Sequence, residues 1–353
     1  MLVAVIAAAG LFAAAGLGYV FWMGGEQRLE AFVTARGQFG PAATTATLFA
    51  SAMGSWILFG PPEAATWGGV PAIAGYVVGA ALPSLLYIPL GQRLRTLMPQ
   101  GHALTEYVRH RYGRTMHVFT LGIMTFYLFV ALTAQVTGMA FLLQLVADVP
   151  LWITAGIVLT ATVAYTALGG LRASIVTDGV QSLLLLPLLA GGAVFAVAAV
   201  GGTAPLASGV ADRAPALLRW TYAPGVEGGL ALVIAIAAAS LFNQGTWQRV
   251  YAADSVRTLR VGFATVAGAM AVTVAGTGLL GLAAVGTGAA DPPSTALFGL
   301  LLDAAPPGVG LGLVLLGLAL VMSSADTVLN ALASLVTVDL RQVAPSLSAN
   351  TLM

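Results

Sequence analysis

The charges of this chain fall in clusters, and the gaps between clusters are each long enough to cross a bilayer. Runs without a charged side chain occupy residues 1–25, 37–62, 64–92, 118–147, 149–171, 179–211, 228–248, 261–290 and 304–325. A spanning helix needs roughly 20 apolar residues at ~1.5 Å rise each, so about nine spans are expected. Lipid gives the backbone no hydrogen-bond partner, and the runs are too long and too poorly alternating for barrel strands. The expected class is therefore an all-α integral membrane protein. Only 8% of the residues are charged, against about 25% in soluble domains, so water is not the only solvent and the bilayer is itself a partner. The absence of cysteine rules out disulfides and thiolate metal centres. A net charge of +1 carries no nucleic-acid footprint.

The first run has no basic residue before its apolar stretch, and Arg28 follows it. A cleaved signal peptide has the opposite charge order, so a retained first helix with its N-terminus outside is expected. All 14 basic residues are arginine. With the N-terminus outside, alternate loops place Arg28, Arg36, Arg93, Arg95, Arg109, Arg111, Arg114, Arg172, Arg249, Arg257, Arg260 and Arg341 inside, and only Arg213 and Arg219 outside. This is the bias expected of a multi-pass protein of a cell membrane, such as a bacterial inner membrane. The same assignment puts Asp148, Asp212, Glu227, Asp291 and Asp303 outside.

Three spans carry polar or helix-breaking residues. The second holds Ser51, Gly54, Ser55, Trp56, Gly60 and then Pro61-Pro62-Glu63. Paired prolines remove two amide donors and clash with the preceding turn, so a break or kink is expected there. It is a simple kink, a span that ends at Phe59, or a discontinuous helix whose freed carbonyls face an ion, a device of secondary transporters. The seventh span ends in Asn243-Gln244-Gly245-Thr246-Trp247-Gln248-Arg249, either an interfacial polar cap or the inner half of a solute path. The ninth carries Ser323-Ser324-Ala325-Asp326-Thr327. One serine there would ordinarily bond back to its own helix, but two adjacent hydroxyls and an ionisable residue point to function. Glu63 reads as a solvated vestibule residue, with substrate or proton binding as the other option. No two of His102, His110 and His117 fall on adjacent turns of one helical face, and no paired carboxylates accompany them, so they read as solvated or headgroup-facing histidines of an inside loop rather than a catalytic or metal centre.

At these residues the chain resembles the sodium:solute symporter family, which includes proline, sugar, pantothenate and urea symporters. Three motifs carry the resemblance: Gly169-Gly170-Leu171-Arg172-Ala173-Ser174 through Asp178 to Gln181; Asn243-Gln244 with Gln248-Arg249-Val250-Tyr251; and Met322-Ser323-Ser324-Ala325-Asp326 running to Asp339-Leu340. The segment from Gly101 to Gly113 is similar to the urea-transporter branch. Ala52 and Gly54 depart from the proline-type pattern, and Ala52 and Gly245 depart from the sugar-type one.

The resemblance implies a LeuT-like five-plus-five inverted repeat within a single transporter domain. Residues 1–25 would be an extra N-terminal helix, 37–211 the first repeat and 228–340 a partial second repeat, truncated by two core helices. It implies a sodium site built from the carbonyls of Ala50, Met53 and Leu320 and the hydroxyls of Ser323 and Ser324, with Asp178 on the sodium exit route. Oxygen ligands suit a small hard cation. Ser51, Ser55, Trp56, Asn243, Gln244, Trp247 and Asp326 are the candidates for the substrate path. The function implied is sodium-coupled symport of a small polar solute, with sodium as coupling ion, no other cofactor and no enzymatic activity. The other reading is a transporter-like sensor module of a longer signalling protein.

Overall fold

The computed structural model describes residues 1–22, 29–199, 201–302 and 305–340. Arg28, Asp303 and Arg341, which enter the charge pattern above, lie outside the described residues. The first helices are α1 (Leu2–Trp22), α2 (Leu29–Val33), α3 (Pro41–Ala52), α4 (Trp56–Leu97), α5 (Leu104–Ala147) and α6 (Leu151–Ala199). They are followed by α7 (Thr203–Arg213), α8 (Ala223–Ser240), α9 (Gln244–Ala252), α10 (Val256–Thr287), α11 (Ala296–Leu302) and α12 (Pro307–Ser334). A π-helical turn, Leu335–Leu340, extends α12. No strand occurs among the described residues.

Seven of these helices are long and apolar enough to cross a membrane. Three run beyond 40 residues, and two of these, α4 and α6, cross twice. At ~1.5 Å per residue, the 42 residues of α4 would stretch about 63 Å, roughly twice the hydrocarbon thickness. Each is divided by one glycine in a left-handed conformation, Gly69 (φ 60°, ψ −150°) in α4 and Gly170 (φ 55°, ψ −150°) in α6. Other residues reach these angles only with strain. Cutting α4 and α6 at these glycines turns the seven into nine, in agreement with the charge-free runs. A third such glycine, Gly113 (φ 84°), separates the arginine-rich start of α5 from its membrane part.

The boundary between the second and third spans moves relative to the sequence expectation. It falls at Gly69, so Glu63 lies within a helix instead of between spans. The break within the second span moves as well. It lies at Met53-Gly54-Ser55, between α3 and α4, whereas Pro61 and Pro62 sit inside α4. The reason is a partner from another helix: Gln135 of α5 accepts from the Ser55 amide (2.8 Å) and from the Ser55 hydroxyl (3.0 Å). The Gln135 amide packs so closely on Gly54 that a Cβ there would meet it at 2.2 Å.

Small residues let backbones touch, as is usual in lipid. A Cβ on Gly75 of α4 would lie 2.3 Å from the carbonyl oxygen of Gly229 in α8, and one on Gly281 of α10 would lie 2.2 Å from that of Pro62. The periphery is apolar: Phe126, Trp152, Leu183, Val194, Ile234 and Val272 are all exposed. Such a surface would drive aggregation in water and is satisfied by acyl chains.

Candidate ion and solute site

Two apolar runs are interrupted along their length, α3/α4 at residues 53–55 and α8/α9 at 241–243. Each interruption leaves terminal carbonyls and amides without intrahelical partners. At the second, Asn243 caps α9 by accepting from the Gly245 amide at 3.0 Å. The two breaks face one cavity of about 430 Å³, which α5, α10 and α12 also line.

At the edge of that cavity Ser324 joins α12 to the first break. Its hydroxyl lies 2.7 Å from the Met53 carbonyl oxygen and 3.0 Å from that of Leu320. The Leu320 carbonyl also accepts its own helix's amide, as in any α-helix, whereas the Met53 carbonyl stands at the break, so oxygens from both elements come within reach of one site. A hard cation suits such a cluster. Ala50 is fully buried in the last turn of α3, where carbonyls lack helical partners. Ser323 turns the other way and donates to Asp178 Oδ1 at 2.5 Å. Met53, Leu320 and Ser324 thus come together, while Ser323 belongs to the neighbouring network.

That network is the most polar part of the interior. Asp178 Oδ2 accepts from Thr47 Oγ1 (2.5 Å) and from Arg249 (2.9 Å), and both ionic side chains are fully buried. Arg249 also reaches Thr327 Oγ1 (2.7 Å), Thr47 Oγ1 (2.6 Å), the Gly245 carbonyl (3.1 Å) and Ser174 Oγ (3.3 Å). Asp326 accepts from Tyr165 (2.8 Å), Ser174 (2.8 Å) and Thr177 (3.2 Å). A buried ion pair is tolerated only when further hydrogen bonds satisfy its remaining atoms, and here hydroxyls from three helices do so. The network ties α3, α6, α9 and α12 together.

This placement corrects the sequence reading of Arg249, which is no loop arginine. It sits at the end of an apolar run, where a loop charge and a buried charge look alike. His117 is corrected too: it is buried and pairs with Asp339 at 2.9 Å, joining α5 to the end of α12. His102, between α4 and α5, contacts Glu106 (3.3 Å) and Glu30 (2.6 Å). Its hydrogen bond to Glu106, with the Glu30 contact, raises its pKa above the ordinary histidine value against the opposing effect of burial. His110 is exposed.

Of the residues expected on a substrate path, Ser51, Trp56 and Asn243 line the cavity. Ser55 is held by Gln135. Gln244 is buried and donates to the His102 carbonyl at 2.9 Å. Trp247 donates to the Leu241 carbonyl (2.9 Å) and meets Tyr87 edge-on, with ring centroids 4.7 Å apart. Asp326 lies in the buried network. Tyr76, Tyr127 and Gln135 line the cavity and were missed. Of these, Gln135 carried a signal: an amide inside an otherwise apolar span is costly unless it has a task.

Two interrupted helices around a shared cavity, with carbonyl and hydroxyl oxygens gathered at one break, define a secondary transporter. The chain belongs to the sodium:solute symporter family, whose model matches residues 32–352, a family of transporters and not of enzymes. It is 24% identical over 213 residues to the spermidine transporter DUR31 of Candida albicans, covering 60% of this chain and 40% of that protein. The chain thus matches well under half the length of that curated relative. Its LeuT-like fold is shared with a Na+-coupled sialic acid symporter solved in a substrate-bound, outward-open state. That match has a TM-score of 0.80 at 19% identity and covers 98% of this chain and 74% of the other.

Proposed function

We propose that this protein is a sodium-coupled symporter that imports a small polar solute by alternating access. The observation that carries the reading is the convergence of Ser324 Oγ with the Met53 and Leu320 carbonyls at the break between α3 and α4. In this reading sodium is held by the carbonyls of Ala50, Met53 and Leu320 and by Ser323 and Ser324. To join them, Ser323 rotates away from Asp178.

Coupling follows from where those ligands sit. Sodium spans the α3/α4 break and α12, so it favours the state in which these elements are together and the cavity is ordered. Only such differential affinity shifts a conformational equilibrium. Asp178, beside Ser323, is the next acidic oxygen the departing ion meets and forms the exit route, where sodium competes with Arg249 for the carboxylate. Residues 37–211 and 228–340 act as the two repeat halves. In support, each half contains a broken helix. The arginine bias supports an N-terminus outside, with the exit on the arginine-rich side.

The test is tracer uptake into proteoliposomes with and without an inward sodium gradient, using urea, proline, pantothenate and short monocarboxylates. Sodium-driven accumulation is expected for the wild-type protein. It should be lost in the Ser323→Ala/Ser324→Ala double variant at unchanged expression. Undiminished sodium dependence in that variant would refute the ion site.

A further inference from the structure

The cavity shared by the two breaks is lined mainly by apolar side chains with hydroxyls and amides set among them. Among the described residues that line it there is no Asp, Glu, Arg, Lys or His. Arg249 is paired with Asp178, and Asp326 with Tyr165, Ser174 and Thr177; Glu63 acts through space on Tyr76 of the wall but does not itself line the cavity. What the walls offer are hydroxyls and amides, including Ser51, Tyr127, Gln135, Asn243 and Thr246. These groups both donate and accept hydrogen bonds. The ends of four half-helices add partial charges of both signs at the two breaks, α3 and α8 ending where α4 and α9 begin.

From this we infer that the transported solute is uncharged and dipolar, an amide-, urea- or hydroxyl-bearing molecule with both donors and acceptors. The inference rests on the symport reading above and adds the substrate's charge to it. A cationic solute entering this cavity leaves its hydration shell, meets no carboxylate on the described walls and is repelled by the sodium at its edge; an anionic solute meets no basic side chain there, and the sodium is already held by its own oxygen ligands. An uncharged solute needs only its hydrogen bonds replaced, and the lining residues supply them. Stacking takes up one face of four of the lining rings. Trp56 stacks on Tyr76 (5.8 Å, 3°), and Tyr87 stacks on Phe263 (5.3 Å, 13°). The volume lies at the small end of the ~300–1,000 Å³ typical of ligand sites, which suits a small solute.

The experiment uses the full-length protein in proteoliposomes under an inward sodium gradient. Urea, acetamide and myo-inositol are the uncharged probes, spermidine the cationic probe and sialic acid the anionic one. Quenching of Trp56 fluorescence, with the other tryptophans replaced by phenylalanine, reads binding independently of transport. At least one uncharged probe should bind and accumulate roughly tenfold or more over either charged probe. The Ala134→Asp variant, which puts a carboxylate into the cavity wall, should weaken the uncharged probe about tenfold and admit the cation. Wild-type accumulation of spermidine or sialic acid at the level of the uncharged probes overturns the charge rule and leaves sodium coupling intact. Uptake of an uncharged probe without sodium dependence supports the charge rule and defeats the symport reading. Binding of none of the uncharged probes overturns the inference.

Discussion

Replacing Arg249 by methionine should destabilise the protein severely, and replacing Asp178 at the same time should restore most of the loss. The pair is 2.9 Å apart and fully buried. Removing one member of such a pair costs about 3–5 kcal/mol, because the remaining charge stays buried and uncompensated. In Arg249→Met, Asp178 keeps two hydroxyl donors, Thr47 and Ser323, but no cation. At about 2 °C per kcal/mol for a chain of this size, the midpoint of thermal unfolding in detergent should fall by about 6–10 °C. Asp178→Asn should lose less. Arg249 then retains four oxygen partners in Thr47, Thr327, Ser174 and the Gly245 carbonyl. In Asp178→Asn/Arg249→Met both buried charges are gone, and a loss near 1–2 kcal/mol is expected, since a buried pair and its neutral replacement are often nearly equal in stability. The double-mutant cycle therefore closes with a coupling energy of about 2 kcal/mol or more. The readout is the monodisperse fraction recovered from size-exclusion chromatography after heating. Additive single-variant effects, or an Arg249→Met midpoint within 2 °C of wild type, would refute the claim that this pair stabilises the bundle.

Gly170→Ala should sharply reduce recovery of folded protein. The residue has φ 55°, and a Cβ would lie 2.6 Å from the Phe32 carbonyl oxygen, combining backbone strain of about 1–2 kcal/mol with a clash against main chain. Gly179→Ala, with open space around the Cβ, is the control and should behave as wild type in the same expression assay. The His102 contacts predict a small dependence of stability on pH. Because its pKa is raised in the folded state, this contribution is complete below the unfolded value near 6.5 and is lost as pH rises through the folded value. Its carboxylate partner Glu30 is 46% exposed, so the effect should stay below about 1 kcal/mol. Melting curves at pH 6 and pH 9 should differ slightly in wild type and less in His102→Gln; an equal difference in both would assign the pH dependence elsewhere.

The number of spans was legible because lipid leaves a long apolar segment only one regular structure, so the charge-free runs map onto helices nearly one for one. Where those helices turn and break was less legible. Pro61 and Pro62 drew the expected break toward themselves, yet the chain opens about two turns earlier. The decisive group is the side chain of Gln135, 80 residues from Ser55, and no local pattern announces a partner at that distance. Gly69 was invisible for a related reason: it lies inside a charge-free run, and only the packing of Leu217 against it shows why a side chain is excluded. The resemblance to the family named Ser323 and Ser324 together, and the structure separates their partners. It also named Asp178, but the Arg249 beside it, drawn from another motif of the same resemblance, read as an inside-loop charge. Burial of a charge depends on partners gathered from four helices, and a one-dimensional pattern carries none of that information.

The single-glycine reversals at Gly69 and Gly170 bear on how the chain enters the bilayer. Each joins two crossings with no loop between them, so neither crossing has slack to wait for the other. The ribosome delivers one continuous apolar segment, and the insertion machinery must accept it as a closed hairpin. An epitope, protease site or glycan acceptor placed at either turn would pull apart the two strands of that hairpin, so reporters of topology belong in the longer connections, such as residues 214–222, where the chain has length to spare.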